Sequence, residues 1–293
     1  MKNETFKFKM EANKSLGQHF LKTKSIIDKI CTLPVDKEKI DFILEIGPGP
    51  GVLTVPLREH GVPLYVIEKD TRTKDFLEEW LSVDYVHMGD ATKLNFDQWL
   101  LDRKLKSKAG WLVSNLPYNV STILLRLFLE CEEFQMMTLM FQREVGEKLL
   151  PTYLKNNSLK VLVENFYEIS LLDIVKPGAF HPPPKVDSII IKLRRRQHPL
   201  VAISEILEFE KFNRELFQNP RKQIFNKLKH LFKNSFIDNE DQEINPSMTP
   251  SMTPSMTPLM TAMKKLQLSP QDRAETLTID QVVGLYQACK ICT

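Results

Sequence analysis

A short apolar run followed by a glycine-rich turn constrains the fold of this chain more than any other feature. Residues 42–46 read Phe-Ile-Leu-Glu-Ile, and residues 47–51 read Gly-Pro-Gly-Pro-Gly before a helical pattern that begins near Val52. A strand, a glycine turn and a helix in this order bring backbone N–H groups close to a ligand, because glycine places no side chain in the way. The sequence therefore predicts an α/β unit that binds a bulky polar ligand at this turn.

The alternation of strand and helix patterns continues beyond the turn. Apolar runs predict strands at residues 42–46, 64–68, 84–88, 110–114, 136–141, 170–175 and 187–193, and helical patterns lie at 25–32, 52–60, 71–81, 97–104 and 121–131. This order favours an α/β fold with a doubly wound, mostly parallel seven-stranded sheet of the Rossmann-like type. From residue 197 onward the pattern is helical, at 201–218, 221–232 and 279–290, with a shorter helix around 261–267. We expect a catalytic domain at 1–196 and a small α-helical domain at 197–293.

A repeated tetrapeptide interrupts the predicted helical domain. Residues 247–258 read Ser-Met-Thr-Pro three times, with no hydrophobic period. A proline at every fourth position is incompatible with a helix interior or a central strand. The repeat predicts a mobile linker at about 245–260 that has no catalytic role.

Acidic residues lie where three of the predicted strands end. Glu45 precedes the glycine turn, Glu68 ends the next strand about 20 residues later, and Asp90 follows the third strand. A carboxylate at the position of Glu68 is typical of one that binds ribose hydroxyls, and Asp90 could accept from an adenine amine. The G-x-G-x-G spacing beside Glu45 differs from the dinucleotide fingerprint, and a carboxylate would repel a pyrophosphate but attract a cationic sulfonium. These residues favour S-adenosylmethionine as the ligand.

The tetrapeptide Asn115-Leu116-Pro117-Tyr118 follows the fourth predicted strand. The exocyclic amine of adenine is a poor nucleophile, and a catalyst gains by accepting hydrogen bonds from its two protons. The side-chain oxygen of Asn115 and the carbonyl of Leu116 can accept them, while Pro117 stiffens the loop. The ring of Tyr118 offers a face on which a flipped base can stack. A turn that closes a strand, with the tyrosine in the core, is the competing interpretation of the tetrapeptide alone.

Taken in order, these motifs resemble those of the ribosomal RNA adenine dimethyltransferases. The resemblance also rests on Gly-Gln-His-Phe-Leu at residues 17–21 and Phe-His-Pro-Pro-Pro-Lys-Val-Asp-Ser at residues 180–188. It is greatest to the branch that dimethylates two adjacent adenosines near the 3′ end of small-subunit rRNA. The similarity extends over about residues 15–193 and weakens beyond them.

The resemblance implies a role for each matching position. The catalytic set would be Asn115, Leu116, Pro117 and Tyr118, with Phe180 stacking on the opposite side of the target base. The donor would be bound by Gln18, His19, Leu21, Glu45, Gly47, Gly49, Glu68, Lys69, Asp90 and Asn115. His19 stands where relatives more commonly carry Asn, which leaves a hydrogen-bonding side chain in place.

The implied reaction is a direct in-line displacement at the sulfonium methyl group. Such a reaction needs alignment and hydrogen-bond acceptors more than a strong base. We therefore expect no metal and no catalytic triad, and we expect His87 and His181 to be structural or to face RNA.

Basic residues are concentrated in two parts of a chain whose net charge is only +3. Lys and Arg outnumber Asp and Glu in residues 1–24 and again in residues 185–233. Solvated helix faces would explain charge runs alone, but here the runs follow base-binding motifs, which favours phosphate contacts. The predicted RNA-binding residues are Lys185, Arg194, Arg195, Arg196, Arg221 and Lys222.

Composition is consistent with a cytoplasmic enzyme. The chain has 293 residues, of which 42% are hydrophobic, enough for one full core and one smaller domain. No apolar run reaches the ~20 residues of a membrane helix, and the N-terminus does not resemble a signal peptide. Cys289 and Cys292 form one C-x-x-C pair, which we interpret as reduced thiols rather than a zinc site. We expect a monomer whose partners are the small ribosomal subunit and its rRNA.

Three alternative functions remain open from the sequence. A related enzyme class methylates one adenine of large-subunit rRNA and confers antibiotic resistance; the triple proline and the long basic C-terminal domain argue against it. A ribosome-assembly or RNA-binding factor could keep the fold without the chemistry, although the intact Asn115 and Tyr118 motif argues for catalysis. A nicotinamide oxidoreductase is disfavoured by the glycine spacing.

Overall fold

The computed structural model describes residues 10–13, 16–33, 40–234 and 256–291. The chain divides into two compact units. The first contains the residues up to Leu150 together with Tyr167–Arg195, and the second contains Pro151–Phe166 together with the residues from Arg196 onward. The segment 151–166 therefore clusters with the C-terminal helices, whereas the sequence placed it in the catalytic domain.

The first unit is built on a seven-stranded sheet with the strand order β4-β3-β2-β5-β6-β9-β7. Of the seven strands of this sheet, β9 alone runs opposite to the other six, so the predicted mostly parallel α/β sheet is confirmed. A separate ribbon pairs β1 with β8. The strands are β1 (Phe20–Leu21), β2 (Phe42–Ile46), β3 (Leu64–Glu68), β4 (Val86–Met88), β5 (Gly110–Asn115), β6 (Phe134–Gln142), β7 (Tyr167–Val175), β8 (Phe180–His181) and β9 (Ser188–Arg195).

Helices connect the strands of this sheet. They are α1 (Lys24–Ile30), α2 (Thr54–Arg58), α3 (Lys74–Glu78), α4 (Phe96–Asp102), α5 (Ser121–Leu129) and α6 (Arg143–Glu147). The predicted helix at 71–81 is a 3₁₀ turn at Thr71–Thr73 followed by α3. The sequence did not predict α6, β1 or β8, which are all too short to show a period.

The central strands are buried on both faces, which explains why they read as continuous apolar runs rather than alternating patterns. Ile43 and Trp111 belong to one buried cluster. Phe42 points to the other face, where its ring lies 6.5 Å from that of Phe134, which in turn contacts Phe128 edge-on at 6.0 Å. Packing on both faces fixes the positions of the strand ends, from which the site described below is built.

The second unit is helical. Its helices are α7 (Ser158–Phe166), α8 (Ile206–Phe217), α9 (Ile224–Asn234), α10 (Met256–Lys265) and α11 (Ile279–Ile291). The Tyr286 ring of α11 packs against Phe209 and Phe212 of α8 at 5.1 and 5.6 Å. The buried amide of Asn165 exchanges two hydrogen bonds with the backbone of Val201, at 2.8 and 3.1 Å, which fastens α7 to the chain before α8. The sequence did not predict α7.

The Ser-Met-Thr-Pro repeat is only partly described. Residues 235–255, which contain most of the repeat, lie outside the described residues. Helix α10 begins at Met256, so the prediction that the linker extends to residue 260 is wrong over its last five residues. Pro258 is tolerated in this helix because it lies in the first turn, where a backbone N–H has no intrahelical partner.

Three sequence-based expectations concern the C-x-x-C cysteines, membrane helices and metal binding. Cys289 lies in α11, where its Sγ is 3.8 Å from the carbonyl oxygen of Leu231, and Cys292 is outside the described residues. In the described ranges, no helix combines the length and hydropathy needed to cross a bilayer. Within the same ranges, no three His, Cys, Asp or Glu side chains are grouped to hold a metal ion.

Gly146 provides a test of how tightly α6 packs on the sheet. A Cβ at this position would lie 2.1 Å from Cγ2 of Ile189, a buried β-branched residue of β9 that has no room to move. We expect Gly146→Ala to lower the free energy of unfolding by about 1–3 kcal/mol, the usual cost of overpacking. Gly178→Ala is the matched control, because a Cβ there has no atom within 4 Å. Equal urea midpoints for the two variants would contradict the described packing.

Candidate active site

A cavity lies where the carboxyl ends of β2, β3, β4 and β5 meet at one edge of the sheet. This is where open α/β sheets bind their ligands. Residues 16–20 and the segment after β5 complete its walls. The predicted site residues that line it are Gln18, His19, Gly47, Gly49, Glu68, Lys69, Asp90, Asn115, Leu116, Pro117 and Tyr118.

Glu68 holds the glycine turn in place. The N–H of Gly49 donates to Glu68 Oε2 at 2.8 Å, and the N–H of Asp70 donates to Oε1 at 2.7 Å. Gly47 and Gly49 have φ values of +69° and +54°, which side-chain-bearing residues rarely adopt. Burial raises the pKa of Glu68, although both backbone N–H groups favour its ionised form. The carboxylate therefore anchors the turn and also faces the cavity.

Asp90 presents a second carboxylate at the end of β4. Its Oδ1 accepts hydrogen bonds from the N–H of Thr92 at 3.0 Å and from the Thr92 hydroxyl at 2.7 Å. Lys69 Nζ lies 2.9 Å from Oδ2. The Thr92 hydroxyl, followed by Lys69, lowers the pKa of Asp90 to about 2, so the group is ionised at neutral pH. This end of the cavity thus has an ionised carboxylate that is paired with a lysine.

The N-terminal wall is fastened to β3 through Gln18. The Nε2 of Gln18 donates to Asp70 Oδ2 at 2.9 Å, and its Oε1 accepts from the N–H of Asn13 at 2.7 Å. Hydrogen bonds from Arg72 lower the pKa of Asp70 to about 2 and keep this acceptor charged. Gln18 lines the cavity as predicted, but the polar atoms of its side chain bind protein groups in this arrangement.

Asn115 is oriented by the backbone of the same wall. Its Nδ2 donates to the carbonyl oxygen of His19 at 2.9 Å. Because a carbonyl can only accept, the amide nitrogen faces His19 and its orientation is fixed. The amide oxygen then points the other way and can accept a hydrogen bond from a ligand. This is the orientation that the predicted role of Asn115 requires.

Tyr118 is held at both its hydroxyl and its ring. The hydroxyl oxygen lies 2.5 Å from Ser188 Oγ, and the ring stacks against His19 with centroids 5.8 Å apart and an angle of 28° between planes. The His19 Nδ1 is 2.8 Å from the carbonyl oxygen of Pro182. Burial raises the pKa of the Tyr118 hydroxyl, and the Ser188 bond opposes that shift. Tyr118 is therefore a cavity residue and not part of the hydrophobic core.

Phe180 and Leu21 are not brought to the cavity. Both are 1% exposed and belong to the buried hydrophobic cluster beneath the sheet edge. The β1–β8 ribbon sets Leu21 directly opposite Phe180. In this arrangement Phe180 does not face Tyr118 across a base, contrary to the sequence-based prediction, and Leu21 does not lie over a donor. The ring that contacts Tyr118 is that of His19.

Glu45 also departs from its predicted role. It is 1% exposed, does not line the cavity, and accepts a hydrogen bond from the Thr54 hydroxyl at 2.7 Å. Burial raises its pKa to about 8, so the group is largely protonated at neutral pH. The prediction that its charge attracts a sulfonium is therefore not supported, and Glu45 instead links β2 to α2.

The protonated state of Glu45 predicts a pH-dependent cost to folding. Between pH 4.5 and about 8 the unfolded chain releases this proton while the folded chain keeps it, so stability falls as pH rises. Glu45→Gln should raise the free energy of unfolding, relative to the natural chain, more at pH 8 than at pH 5. The difference between the two gains should be on the order of 3 kcal/mol. Urea denaturation at both pH values measures it.

The Glu45 comparison has two internal controls. The cost of burying the new amide nitrogen of Gln is the same at both pH values and cancels from the difference. Glu144→Gln changes an exposed glutamate on α6. Its free energy of unfolding, relative to the natural chain, should not increase between pH 5 and pH 8. A Glu45→Gln effect that does not depend on pH would contradict the protonated state.

The predicted RNA-binding residues are only partly exposed. Arg195 donates to the carbonyl oxygen of Cys131 at 2.9 Å and to the Tyr167 hydroxyl at 2.8 Å, so it stabilises the sheet. The Nε of Arg196 donates to the carbonyl oxygen of Glu164 at 2.8 Å. The more exposed members of the set are Lys185, Arg194, Arg221 and Lys222. These four keep the predicted phosphate-binding role as a hypothesis.

Sequence reasoning missed two contributors to the site. Asp70 and Ser188 position Gln18 and Tyr118, but neither was assigned a function. Ser188 ends the proline-rich motif at 180–188, so the motif itself was the available signal. Asp70 lies two residues after Glu68 and had no comparable signal.

One family model and many known proteins match this chain. The family model described as Ribosomal RNA adenine dimethylase matches residues 9–255. A protein of Clostridium botulinum named Ribosomal RNA small subunit methyltransferase A is 35% identical over 282 residues, which covers 94% of this chain and 93% of the relative. Proteins with the same name from a Sulfurihydrogenibium species and Geobacter metallireducens are 36% and 31% identical, each covering 95% of this chain and 96% of the relative.

Solved structures extend the comparison. A dimethyladenosine transferase from Plasmodium falciparum has a TM-score of 0.65 and 25% identity, covering 91% of this chain and 96% of its own. A 23S rRNA methyltransferase, ErmE, has a TM-score of 0.64 and covers 92% of this chain and 99% of its own. At 21% identity the second match concerns the fold alone.

Proposed function

The chain belongs to the ribosomal RNA adenine dimethylase family, and from this premise we propose that it dimethylates the N6 amines of two adjacent adenosines near the 3′ end of small-subunit rRNA. The proposed methyl donor is S-adenosylmethionine. One observation carries the proposal: the predicted base-binding pair, Asn115 and Tyr118, lines the same cavity as the carboxylates of Glu68 and Asp90. A methyltransferase needs its donor and its acceptor within one crevice.

The residues at the donor end suit this molecule. No atom lies within 4 Å of the place a Cβ would take at Gly47, so a ligand can approach the backbone there. Glu68 can accept hydrogen bonds from ribose hydroxyls, and Asp90 can accept one from the adenine amine. A pyrophosphate would lie beside the carboxylates of Glu68 and Asp90, and the Lys69 ammonium is already paired with Asp90 at 2.9 Å, which supports a sulfonium donor over a dinucleotide. When bound, this donor supplies a methyl group attached to a positively charged sulfur.

At the acceptor end, side chains of this chain would align the target amine. In the first transfer the Asn115 oxygen and the Leu116 carbonyl each accept a hydrogen bond from an N–H of the N6 amine, and in the second one of them accepts from the N–H that remains, which directs the lone pair at the methyl carbon. With S-adenosylmethionine held by Glu68 and Asp90, the amine nitrogen would bond to the methyl carbon as the sulfur–carbon bond breaks, and the electron pair of the sulfur–carbon bond would remain on sulfur. The amine proton is lost to solvent afterwards. Pro117 restricts the loop and Tyr118 stacks on the base, so the contribution of the protein is alignment and electrostatics.

The relatives favour the small subunit as the substrate. Three of them carry the small-subunit name at 31–36% identity over most of this chain. In this proposal the enzyme acts as a monomer in the cytoplasm, takes part in small-subunit biogenesis and binds rRNA phosphates through exposed basic residues. Those residues are Lys185, Arg194, Arg221 and Lys222.

A substrate comparison tests the proposal. Purified enzyme and labelled S-adenosylmethionine are incubated with isolated small subunits and, separately, with deproteinised large-subunit RNA. Nucleoside mass spectrometry should detect dimethyladenosine in the small-subunit sample. Preferential methylation of the large-subunit RNA would overturn the proposed substrate, and transfer to neither would overturn the proposed function. An inactive Asn115 variant that still binds immature small subunits would add an assembly role.

A further inference from the structure

Ser188 is buried beside the cavity and has no role in the function proposed above. Its side chain is 0% exposed, and its Oγ lies 2.5 Å from the hydroxyl oxygen of Tyr118. Ser188 is the first residue of β9 and pairs with Gln142 of β6 on one side and Val175 of β7 on the other. A side chain fixed by two neighbouring strands is a rigid point from which to hold a ring.

A network of charges secures the residue before it. The N–H of Arg143 donates to the carbonyl oxygen of Asp187 at 2.9 Å. The Asp187 carboxylate accepts from Arg143 Nη1 at 3.2 Å and from Lys176 Nζ at 2.7 Å. These bonds tie the start of β9 to α6 and to the chain after β7. The Ser188 hydroxyl therefore has little freedom to follow a moving tyrosine.

The ring of Tyr118 depends on such a point. It lies in a loop between β5 and α5, where no ladder of backbone bonds fixes its side chain. A phenol ring that is attached only at its Cβ can swing about the Cα–Cβ bond, and stacking on a base requires the ring to stay in one place. The hydroxyl is the part of the ring farthest from the backbone, so a hydrogen bond there stops the ring from swinging about the Cα–Cβ bond. The stacked ring of His19 supports one face but makes no bond to the hydroxyl.

We propose that Ser188 is a positioning residue that holds the ring of Tyr118 in place for capture of the target adenine, separately from donor binding. This inference rests on the proposed function. Ser188 touches neither donor nor base in this account and acts only through Tyr118. Its loss should therefore weaken capture of the RNA base and leave binding of S-adenosylmethionine unchanged.

Ser188→Ala and Tyr118→Phe remove the hydrogen bond from its two ends. For Ser188→Ala we expect the KM for small-subunit substrate to rise about fivefold, the effect of losing one neutral hydrogen bond, with the Kd of S-adenosylmethionine unchanged by calorimetry. With 2-aminopurine in place of the target adenosine, the fluorescence rise on binding should be smaller. Because both variants lose the same hydrogen bond, the KM of the double variant should be no higher than that of the more impaired single variant.

Thr138→Val is the matched control. It removes another buried hydroxyl of the same sheet, which accepts a hydrogen bond from the Trp111 indole at 3.1 Å. This control should leave both the KM and the fluorescence signal at their natural values. Ser188→Thr, which keeps the hydroxyl, should restore the signal, and thermal denaturation checks that each variant is folded.

The outcomes separate this inference from the function on which it rests. If the natural enzyme does not methylate small-subunit RNA, both the proposed function and the inference about Ser188 are overturned. An active natural enzyme with a Ser188→Ala variant that matches Thr138→Val would overturn the inference alone. Additive losses in the double variant would also overturn it, because they would show that Ser188 and Tyr118 act independently.

Discussion

Asn115→Ala is expected to lower the kcat of methyl transfer by about 10²–10³-fold, the cost of removing one well-placed group that stabilises developing charge. The amide oxygen of Asn115 faces the cavity because its nitrogen donates to the carbonyl oxygen of His19 at 2.9 Å. Alanine removes the acceptor that aligns the target amine. The proposed function places Asn115 at the target amine, not at the donor as the resemblance also implied, and the donor contacts at Glu68 and Asp90 are untouched, so the Kd of S-adenosylmethionine should change by less than about twofold.

Two further variants sharpen this prediction. Asn115→Asp keeps an oxygen but cannot donate to the His19 carbonyl, so its carboxylate would be repelled and displaced; we expect it to be nearly as inactive as the alanine variant. Asn95→Ala is the control, because Asn95 caps α4 through the N–H of Gln98 at 3.0 Å and should affect stability alone. Near-normal single-turnover methylation by Asn115→Ala would refute the role of the amide.

Glu68→Ala is expected to raise the Kd of S-adenosylmethionine by about 100-fold, or about 3 kcal/mol, which is the lower end of the cost of losing two hydrogen bonds to a charged acceptor. The carboxylate has two functions in this account: it accepts from ribose hydroxyls, and it holds the N–H of Gly49 at 2.8 Å. The variant should lose both the ribose contact and the shape of the glycine turn. Isothermal titration calorimetry measures the change directly.

The control for Glu68→Ala is the same substitution at a glutamate that is exposed and not buried. Glu144 is exposed on α6 and pairs with Lys148, so Glu144→Ala should bind the donor normally. At saturating S-adenosylmethionine we expect Glu68→Ala to recover much of its kcat, because the base-binding pair is intact. Unchanged donor affinity in Glu68→Ala would show that the donor does not bind at this strand end.

The centre of the sheet was predictable because its central strands are covered on both faces. Strands such as β2 and β5 appear in the sequence as unbroken apolar runs with a turn signal after them. The segment 151–166 was not predictable in the same way. It lies between two sheet strands in sequence, and only its contacts with the C-terminal helices, such as the Asn165 bonds to Val201, assign it to the second unit.

The site was predictable where it depends on strand ends and not where it depends on distant pairing. Glu68, Asp90 and Asn115 end parallel strands, which places them at one edge of the sheet whatever the other contacts are. Phe180 and Leu21 are about 160 residues apart in sequence, and their burial follows from the β1–β8 ribbon, which has no sequence period. Local pattern therefore located the cavity but not all of its walls.

Side-chain partners were the least predictable part of the molecule. Glu45 was expected to carry a charge beside the ligand, but it is buried against Thr54 and largely protonated at neutral pH. Arg195 was expected to bind RNA, but it bonds to Tyr167 and to the Cys131 carbonyl. Both outcomes depend on contacts with residues that only the folded chain brings near.

Nucleoside mass spectrometry of rRNA from cells that lack this chain tests the central claim most directly. The proposed function predicts that dimethyladenosine disappears from small-subunit rRNA, returns when the natural chain is supplied, and does not return with Asn115→Ala. Small-subunit rRNA that keeps its dimethyladenosine without this chain, or that regains it with Asn115→Ala, would contradict the account.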